Sequence, residues 1–394
     1  MNQPFTLSED LVGKLYERYS ESVDMMEWHA SYTKEPEEPL EPLDSSQFQT
    51  FIQTAFWASL QQEESRFHDF TLLLMPPERT RMPYVFEQPV PFNVANVAKM
   101  APALDTQANH IGVWVEDGGE LVIWGFVPAN DTGLTASTLD PGQLLVSFQE
   151  IGIEHFNLLL SGTRGEFVRR SEFLTWLVPE SKTQRHIDIW RTHRNEVMRA
   201  LDYRNITTFM RSHRHGGTLL VVKENSDWRH SFSPSITFAA KEAYDKVKID
   251  TFIRNRTMEQ EREKRVIGDS PRYKMAIESA KQSLETIGKL TAVDGVTVIS
   301  YDLDILAFGA KIKAQGEQKP QRILISEPFE ESTPREIDLA VLGGMRHQSA
   351  AQFVFDQRHA LAFVASQDGR LSVMRWDAEK EIVTVIRPAE FALL

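Results

Sequence analysis

The chain contains no cysteine, which excludes disulfides, thiolate metal sites and cysteine nucleophiles. It has no apolar run long enough to span a bilayer, and its first residues, MNQPFTLSEDL, lack the basic-then-apolar order of a secretory signal. Both absences point to a cytoplasmic protein with no membrane partner. Positive charge is also in deficit. A formal net charge of −13 argues against general nucleic-acid binding, which needs a basic face to displace counterions from phosphates. A local basic site is compatible with that balance, because a few Arg or His residues and a divalent cation can manage triphosphate charge locally.

What is present is ordinary globular composition, 41% hydrophobic and 25% charged over 394 residues, enough for two cores. Thr6 to Glu9 fits a capping box, and Leu7, Leu11, Leu15, Tyr19 and Val23 repeat at helical spacing, predicting a helix that ends before Ser31. Residues 33–44, rich in Pro and Glu, read as a solvated loop. Helical periodicity returns over residues 46–67 through Phe48, Phe51, Ile52, Ala55 and Phe56, followed by a strand over 69–75 closed by Pro76-Pro77. After a proline-bearing link (Pro83, Pro89, Pro91) comes a short helix over 94–101. Strands over 110–115 and 120–127 then flank Asp117-Gly118-Gly119, a strong hairpin signal. Further strands fall at 142–148 and 155–160. Trp114, Trp124, Phe126 and Phe148 sit where strand core residues belong. This half carries no catalytic constellation.

Near residues 179–183 the pattern changes to a long helix over 184–210, placing a domain boundary between residues 1–180 and 184–394. His213-Arg214-His215, without carboxylate or cysteine companions, reads as a basic surface turn before the apolar strand opened by Gly216-Gly217. Residues 241–265 read as a charged helix of mixed sign. Ser270-Pro271 opens another helix, which runs through Ala280, Leu284 and Ile287 toward Asp294. The fold class expected is α/β of the α+β kind. An N-terminal sheet-and-helix domain precedes a second domain whose central mixed β-sheet is flanked by helices.

Three segments of the second half carry chemistry. Gly343-Gly344 feeds a helix start bearing Arg346 and His347, an arrangement suited to phosphate because orphan N–H groups, the helix dipole and a guanidinium fork favour the same anion. Asp294-Gly295 stands at the entrance of an apolar strand, where a carboxylate can hold a divalent metal, although Asp before Gly also simply stabilises turns. Ser366-Gln367-Asp368-Gly369 follows another buried strand and supplies a second carboxylate; Asp-Gly is equally the usual tip of a hairpin.

At these residues the chain resembles the diadenylate cyclase family, which joins two ATP molecules into cyclic di-AMP. The family's Asp-Gly-Ala, Gly-Thr-Arg-His-Arg-x-Ala and Val-Ser-Gln type segments have counterparts here in Asp294-Gly295-Val296, Gly344-Met345-Arg346-His347-Gln348-Ser349-Ala350 and Ala365-Ser366-Gln367-Asp368-Gly369. Gly216-Gly217-Thr218-Leu219-Leu220-Val221-Val222-Lys223-Glu224 looks like the Gly-Ala-Leu-Ile-Val-Ile-Glu strand that opens the family's sheet. The resemblance implies a metal-dependent nucleotidyltransferase using Mg²⁺ or Mn²⁺. It implies Asp294 and Asp368 as metal ligands and Asp294, Arg346 and His347 as catalytic residues. Gly295, Val296, Gly344, Met345, Gln348, Ser366 and Gln367 would line the nucleotide site. It further implies an at least transient homodimer in which two ATP-loaded domains face each other. Three departures stand out: Gln348 replaces an Arg, Met345 a Thr and Val296 an Ala. Arg358 and His359, near in sequence, are candidates to restore the lost charge. The altered motif also leaves open a nucleotide-binding sensor module without turnover. The N-terminal half, with its FxxFIQTAFWASLQQEESRFHDF and IGVWVEDGGELVIWG stretches, is similar to the sensor domain named DACNV, which implies regulation by an unidentified signal.

Overall fold

The computed structural model describes residues 7–31, 39–63, 65–80, 82–104, 109–116, 118–129, 131–150, 153–177, 194–223, 226–233, 236–237, 253, 257, 271–315 and 318–393. These divide into two compact units, Met1–Val168 with Phe329–Glu331, and Arg169–Pro328 with Ser332–Leu394. The division falls ahead of the expected boundary at 180–184, because the short helix Arg170–Leu177 packs with helices of the second unit and Trp176 offers its carbonyl to Arg375 Nη1 at 2.6 Å.

In the first unit, helix α1 (Glu9–Ser31) is capped by Ser8, whose hydroxyl accepts from Leu11 N–H at 3.3 Å; Thr6, the expected cap, lies outside the described residues. Helix α2 (Ser45–Ser59) opens on a capping box in which Asp44 accepts from the Ser46 and Gln47 amides and Gln47 returns to Asp44 N–H. It ends at Ser59 rather than at residue 67. Past Leu60 the apolar spacing is lost, and Phe67 is 48% exposed. Strands β1 (Thr71–Leu74) and β2 (Tyr84–Pro91) are followed by helix α3 (Val94–Met100). Then come β3 (Asn109–Val115), β4 (Leu121–Pro128), β5 (Gly133–Asp140), β6 (Gln143–Glu150), β7 (Ile153–Ser161) and β8 (Arg164–Phe167).

The sheet order is β2-β4-β3-β1-β5-β6-β7-β8, antiparallel except where β1 runs parallel to β3. β2 occupies the stretch expected as a proline-bearing link. It is an edge strand, where Pro89 and Pro91 cost no ladder bond to a neighbour on the open side. Of the hairpin signal, β3 and β4 form and Asp117 lies outside the described residues. Helices α1 and α2 lie over β5 and β6, with Tyr19 stacked on Phe48 at 4.9 Å and 6.3 Å from Phe148. Trp124 and Phe148 are buried; Trp114 and Phe126 pack partly buried at the margin.

The second unit contains α4 (Arg170–Leu177), α5 (Arg194–Ser212), β9 (Gly217–Val222), β10 (Ile236–Thr237), α6 (Pro271–Leu290), β11 (Val296–Ser300) and β12 (Ile305–Ala310). These are followed by β13 (Arg322–Ser326), β14 (Arg335–Asp338), α7 (Met345–Asp356), β15 (Leu361–Ala365), β16 (Leu371–Asp377), β17 (Ile382–Ile386) and the short α8 (Glu390–Leu393). The expected helix over 241–265 and Ser270 lie outside the described residues, apart from Ile253 and Thr257. The sheet order is β10-β12-β11-β9-β15-β16-β17-β13-β14, with β9/β11 and β13/β17 parallel and the other pairs antiparallel.

Successive side chains of a strand point to opposite faces. On β15, Ala362 and Val364 join the core under Phe353 of α7, while Phe363 meets Tyr203 of α5 at 5.2 Å. Helices therefore cover both faces, which is why β9, β11 and β15 are buried along their whole length and read as continuous apolar runs. The protein is of the α+β kind, two mixed sheets each flanked by helices.

Candidate functional site

Strand register brings the sequence segments of the second unit to one end of its sheet. β9 and β11 run parallel with Val296 beside Thr218, so Gly295 and Asp294 fall level with Gly217 and Gly216. β15 runs antiparallel to β9 with Ala365 beside Gly217, so Ser366 and the turn after it emerge at the same end. Helix α7 packs across β9, β15, β16 and β17, and its N-terminus reaches this end: a Cβ on Gly216 would lie 2.6 Å from Arg346 Nη1 and 3.3 Å from Ala365 O. Gly216 also has φ +69, so both space and backbone favour the residue without a side chain.

Asp294 is exposed in the turn before β11, and its carboxylate accepts no hydrogen bond among the described residues. Gly295, at φ +111, lets that turn pass close to β12; a Cβ there would sit 2.6 Å from Gly309 C and 2.7 Å from Ala310 O. Val296 is 6% exposed and packs in the core, so only its backbone is available to a ligand. At α7, Gly344 is the N-cap and accepts from His347 N–H at 3.0 Å, and Met345 stands 84% exposed. Gln348 turns its amide back onto Gly343 O at 3.0 Å.

Arg346 and His347 part company. Arg346 is exposed over Gly216 and forms no ion pair among the described residues. His347 is buried, with Nε2 3.2 Å from Ser372 Oγ. Burial, then the neighbouring charge of Arg387, pushes the imidazole down to about 4, a nearby Asp368 opposing and Arg346 adding to the shift. In the ligand-free chain at neutral pH it is an uncharged ring that hydrogen-bonds with Ser372.

The 366–370 turn is internally satisfied. Ser366 Oγ donates to Asp368 Oδ1, Arg370 N–H donates to the same oxygen at 3.2 Å, and Gly369 N–H donates to Ser366 O at 3.0 Å. The Ser366 hydroxyl and the Arg370 amide hold the Asp368 carboxyl below its usual range. Gln367 is exposed at the tip. Two arginines clamp this turn from behind: Arg211, unremarked in the sequence, donates from Nε to Gly369 O at 2.6 Å, and Arg214 of the basic turn donates from Nη1 to Asp368 O at 3.0 Å. The HRH segment thus supplies a turn clamp, and its histidines are structural: His213 Nδ1 accepts from His215 N–H at 3.2 Å, leaving Nε2–H to donate to Thr291 Oγ1 at 3.0 Å. Arg387, also missed, donates from Nη1 to Leu342 O at 3.0 Å. Arg358, expected near the phosphate motif, lies over Trp376 at 3.7 Å at the far end of α7, roughly 18 Å along a helix of this length.

Among the described residues no three His, Asp or Glu side chains gather as a metal cage, and no helix is long and apolar enough to cross a membrane. The first unit holds a cavity of about 220 Å³ bounded by Leu11, Lys14, Thr163, Phe167, Phe329 and Glu331. Beside it, Arg18 forms a two-point ion pair with Glu330 at 3.0 and 2.7 Å and covers the Phe167 ring at 4.0 Å.

Comparison with known proteins bears on the first unit. No curated protein matches the sequence. One solved structure, titled the hypothetical membrane spanning protein from Bacillus cereus, aligns at 13% identity over 55% of this chain and 86% of that one, with a TM-score of 0.24 that establishes no common fold. Residues 37–128, spanning α2 to β4, match the family model described as probable sensor domain DACNV.

Proposed function

We propose that the second unit binds ATP at the sheet end formed by Asp294, Gly216 and Arg346, and that two copies convert two ATP into cyclic di-AMP under control of the first unit. The observation that carries this reading is the convergence of four segments, distant in sequence, at one end of one sheet, beside a guanidinium without an acid. In each half-reaction a ribose 3′-oxygen bonds to the α-phosphorus of the facing ATP. The bond from that phosphorus to the β-bridging oxygen breaks, pyrophosphate leaves, and the hydroxyl proton passes to solvent. Such transfer depends on alignment and on neutralising developing charge more than on a strong base. Arg346 offers a fork to phosphate oxygens. His347 is too buried for a direct ionic role and fixes the start of α7 on β16 through Ser372.

The residues fit a hard divalent cation in part. Asp294 is an unengaged carboxylate of the kind Mg²⁺ or Mn²⁺ takes together with substrate phosphates, whereas the Asp368 carboxylate is already held by Ser366 and Arg370. When bound, the ion would lower the pKa of the attacking hydroxyl and offset phosphate charge. The DACNV match over residues 37–128 supports a sensory role for the first unit.

A second reading, a nucleotide sensor without turnover, is favoured by Gln348, whose amide is neutral and tied to Gly343 O. Mass spectrometry of products from the full chain with ATP, GTP and Mn²⁺ decides between them. Cyclic di-AMP with pyrophosphate establishes turnover. ATP bound and unchanged over a range of protein concentrations leaves the sensor.

A further inference from the structure

Five arginines surround the end of the sheet, and most are already committed. Arg211 and Arg214 hold backbone carbonyls of the 366–370 turn, and Arg370 faces Asp368 at 3.9 Å. Arg346 and Arg387 form no ion pair among the described residues. Arg387 directly follows β17, its own N–H is fixed on Ser326 O at 3.0 Å, and it spends one side-chain donor on Leu342 O. Leu342 leads directly into Gly343-Gly344. Gly343 in turn lies against the His347 ring, since a Cβ there would be 3.1 Å from Nδ1. The Arg387 guanidinium is thus held at the entrance to α7, with four of its five N–H donors unspent. Its charge is felt at both His347 and Asp368.

We propose that Arg387 is the second cation of the anion site, pairing with Arg346 to hold a polyphosphate across the α7 N-terminus where Gln348 contributes no charge. The inference rests on the phosphate-binding reading of this sheet end. It assigns a ligand with at least two adjacent anionic groups, a triphosphate or pyrophosphate moiety, because one guanidinium stands over Gly216 and the other is tied to Leu342 O, so that each offers its own fork.

The test is calorimetric titration of the full chain with inorganic tripolyphosphate and, in parallel, with ATP, at several salt concentrations. Arg387→Gln is expected to weaken tripolyphosphate binding about tenfold or more, the usual scale for one charge-assisted bond, and to flatten the salt dependence. Adding Gln348→Arg to Arg387→Gln should restore part of the loss. If Arg387→Gln does not fold, Arg387→Lys decides: keeping the charge without the fork, it should weaken binding severalfold at an unchanged salt slope. Binding by Arg387→Gln within twofold of the parent, binding by Arg387→Lys equal to the parent, or no tripolyphosphate binding by the parent overturns the inference. Tripolyphosphate binding that depends on Arg387, with ATP bound no more tightly and no cyclic product, would leave the inference standing and remove the cyclase reading.

Discussion

The two units are built from similar parts and differ in what happens to their polar groups. In the first, polar atoms near the helices turn inward. Tyr16 donates to Leu43 O at 2.9 Å, Tyr19 accepts from Leu43 N–H at 3.2 Å, and Asp44 and Gln47 close a capping box. Burial lifts the Tyr19 hydroxyl to about 12, so it stays protonated and serves the fold. In the second unit the sheet interior is equally apolar, yet one end of it gathers Asp294, Arg346 and Arg387 without ionic partners among the described residues. Folding alone explains the first pattern. The second leaves charges that form no ion pair among the described residues, and this is what directs the functional reading to the second unit.

The sharpest way to break the comparison is to damage each unit separately. Phe48→Ala, at a fully buried ring stacked on Tyr19, is expected to cost about 3–5 kcal/mol, the usual scale for such a truncation, seen as a lowered denaturation midpoint. Anion binding per folded molecule should be unchanged. Asp294→Ala should do the reverse. Cyclic dinucleotide formation falls by on the order of 10²- to 10³-fold, as when one electrostatic stabiliser is removed, while circular dichroism and melting stay as in the parent because the side chain is exposed and makes no internal bond.

Acid should affect both units in one window. His110 of the first unit and His347 of the second are each pushed by burial from the ordinary 6.5 down to about 4. Protonation therefore favours the unfolded chain. The stabilising contribution is complete above about pH 6.5 and drains away as the pH falls toward 4, on the order of 1–3 kcal/mol for each histidine. Melting temperature followed against pH measures the sum. His347→Gln should remove only the share of the second unit, and an unchanged slope would show that the imidazole is not buried as described.

The smallest effect expected is that of Gly216→Ala. A left-handed backbone position costs about 1 kcal/mol for a residue with a side chain. The new methyl group also displaces the Arg346 fork, so tripolyphosphate affinity should fall more than the melting temperature suggests. Equal affinity would mean that Arg346 does not act from above Gly216.

Much of this was legible in the chain. Period and punctuation located most strands, and Gly343-Gly344 before Arg346 announced the start of α7. Other features were not legible. β2 hid behind Pro89 and Pro91, which are tolerated because the strand lies at an edge. β5 alternates inward Leu134 and Ala136 with Thr135 and Ser137, a pattern too polar to stand out. Most importantly, sheet order is a tertiary property. Nothing local says that β15 will pair with β9, and that pairing is what sets Ser366 beside Gly216. Arg358 shows the opposite error: nearness in sequence to Arg346 became distance, because a helix separates them. Arg387 was invisible for the same reason, being remote in sequence from everything it approaches.

The path of the chain between β13 and β14 bears on how the protein can be taken apart. The three residues Phe329–Glu331 belong to the first unit, while the strands on either side belong to the second. Glu330 closes its ion pair with Arg18 and donates its N–H to Phe167 O at 2.9 Å. The polypeptide thus crosses from one unit to the other more than once, and no single cleavage yields two intact pieces. A fragment ending near Val168 loses three of its own residues and the partner of Arg18, and the complementary fragment carries a stretch cut off from its packing. Gene fusions, expression fragments and proteolytic mapping that treat the units as beads on a string would report the behaviour of incomplete objects, and swapping one unit for a homologous one requires exchanging the short insert with it.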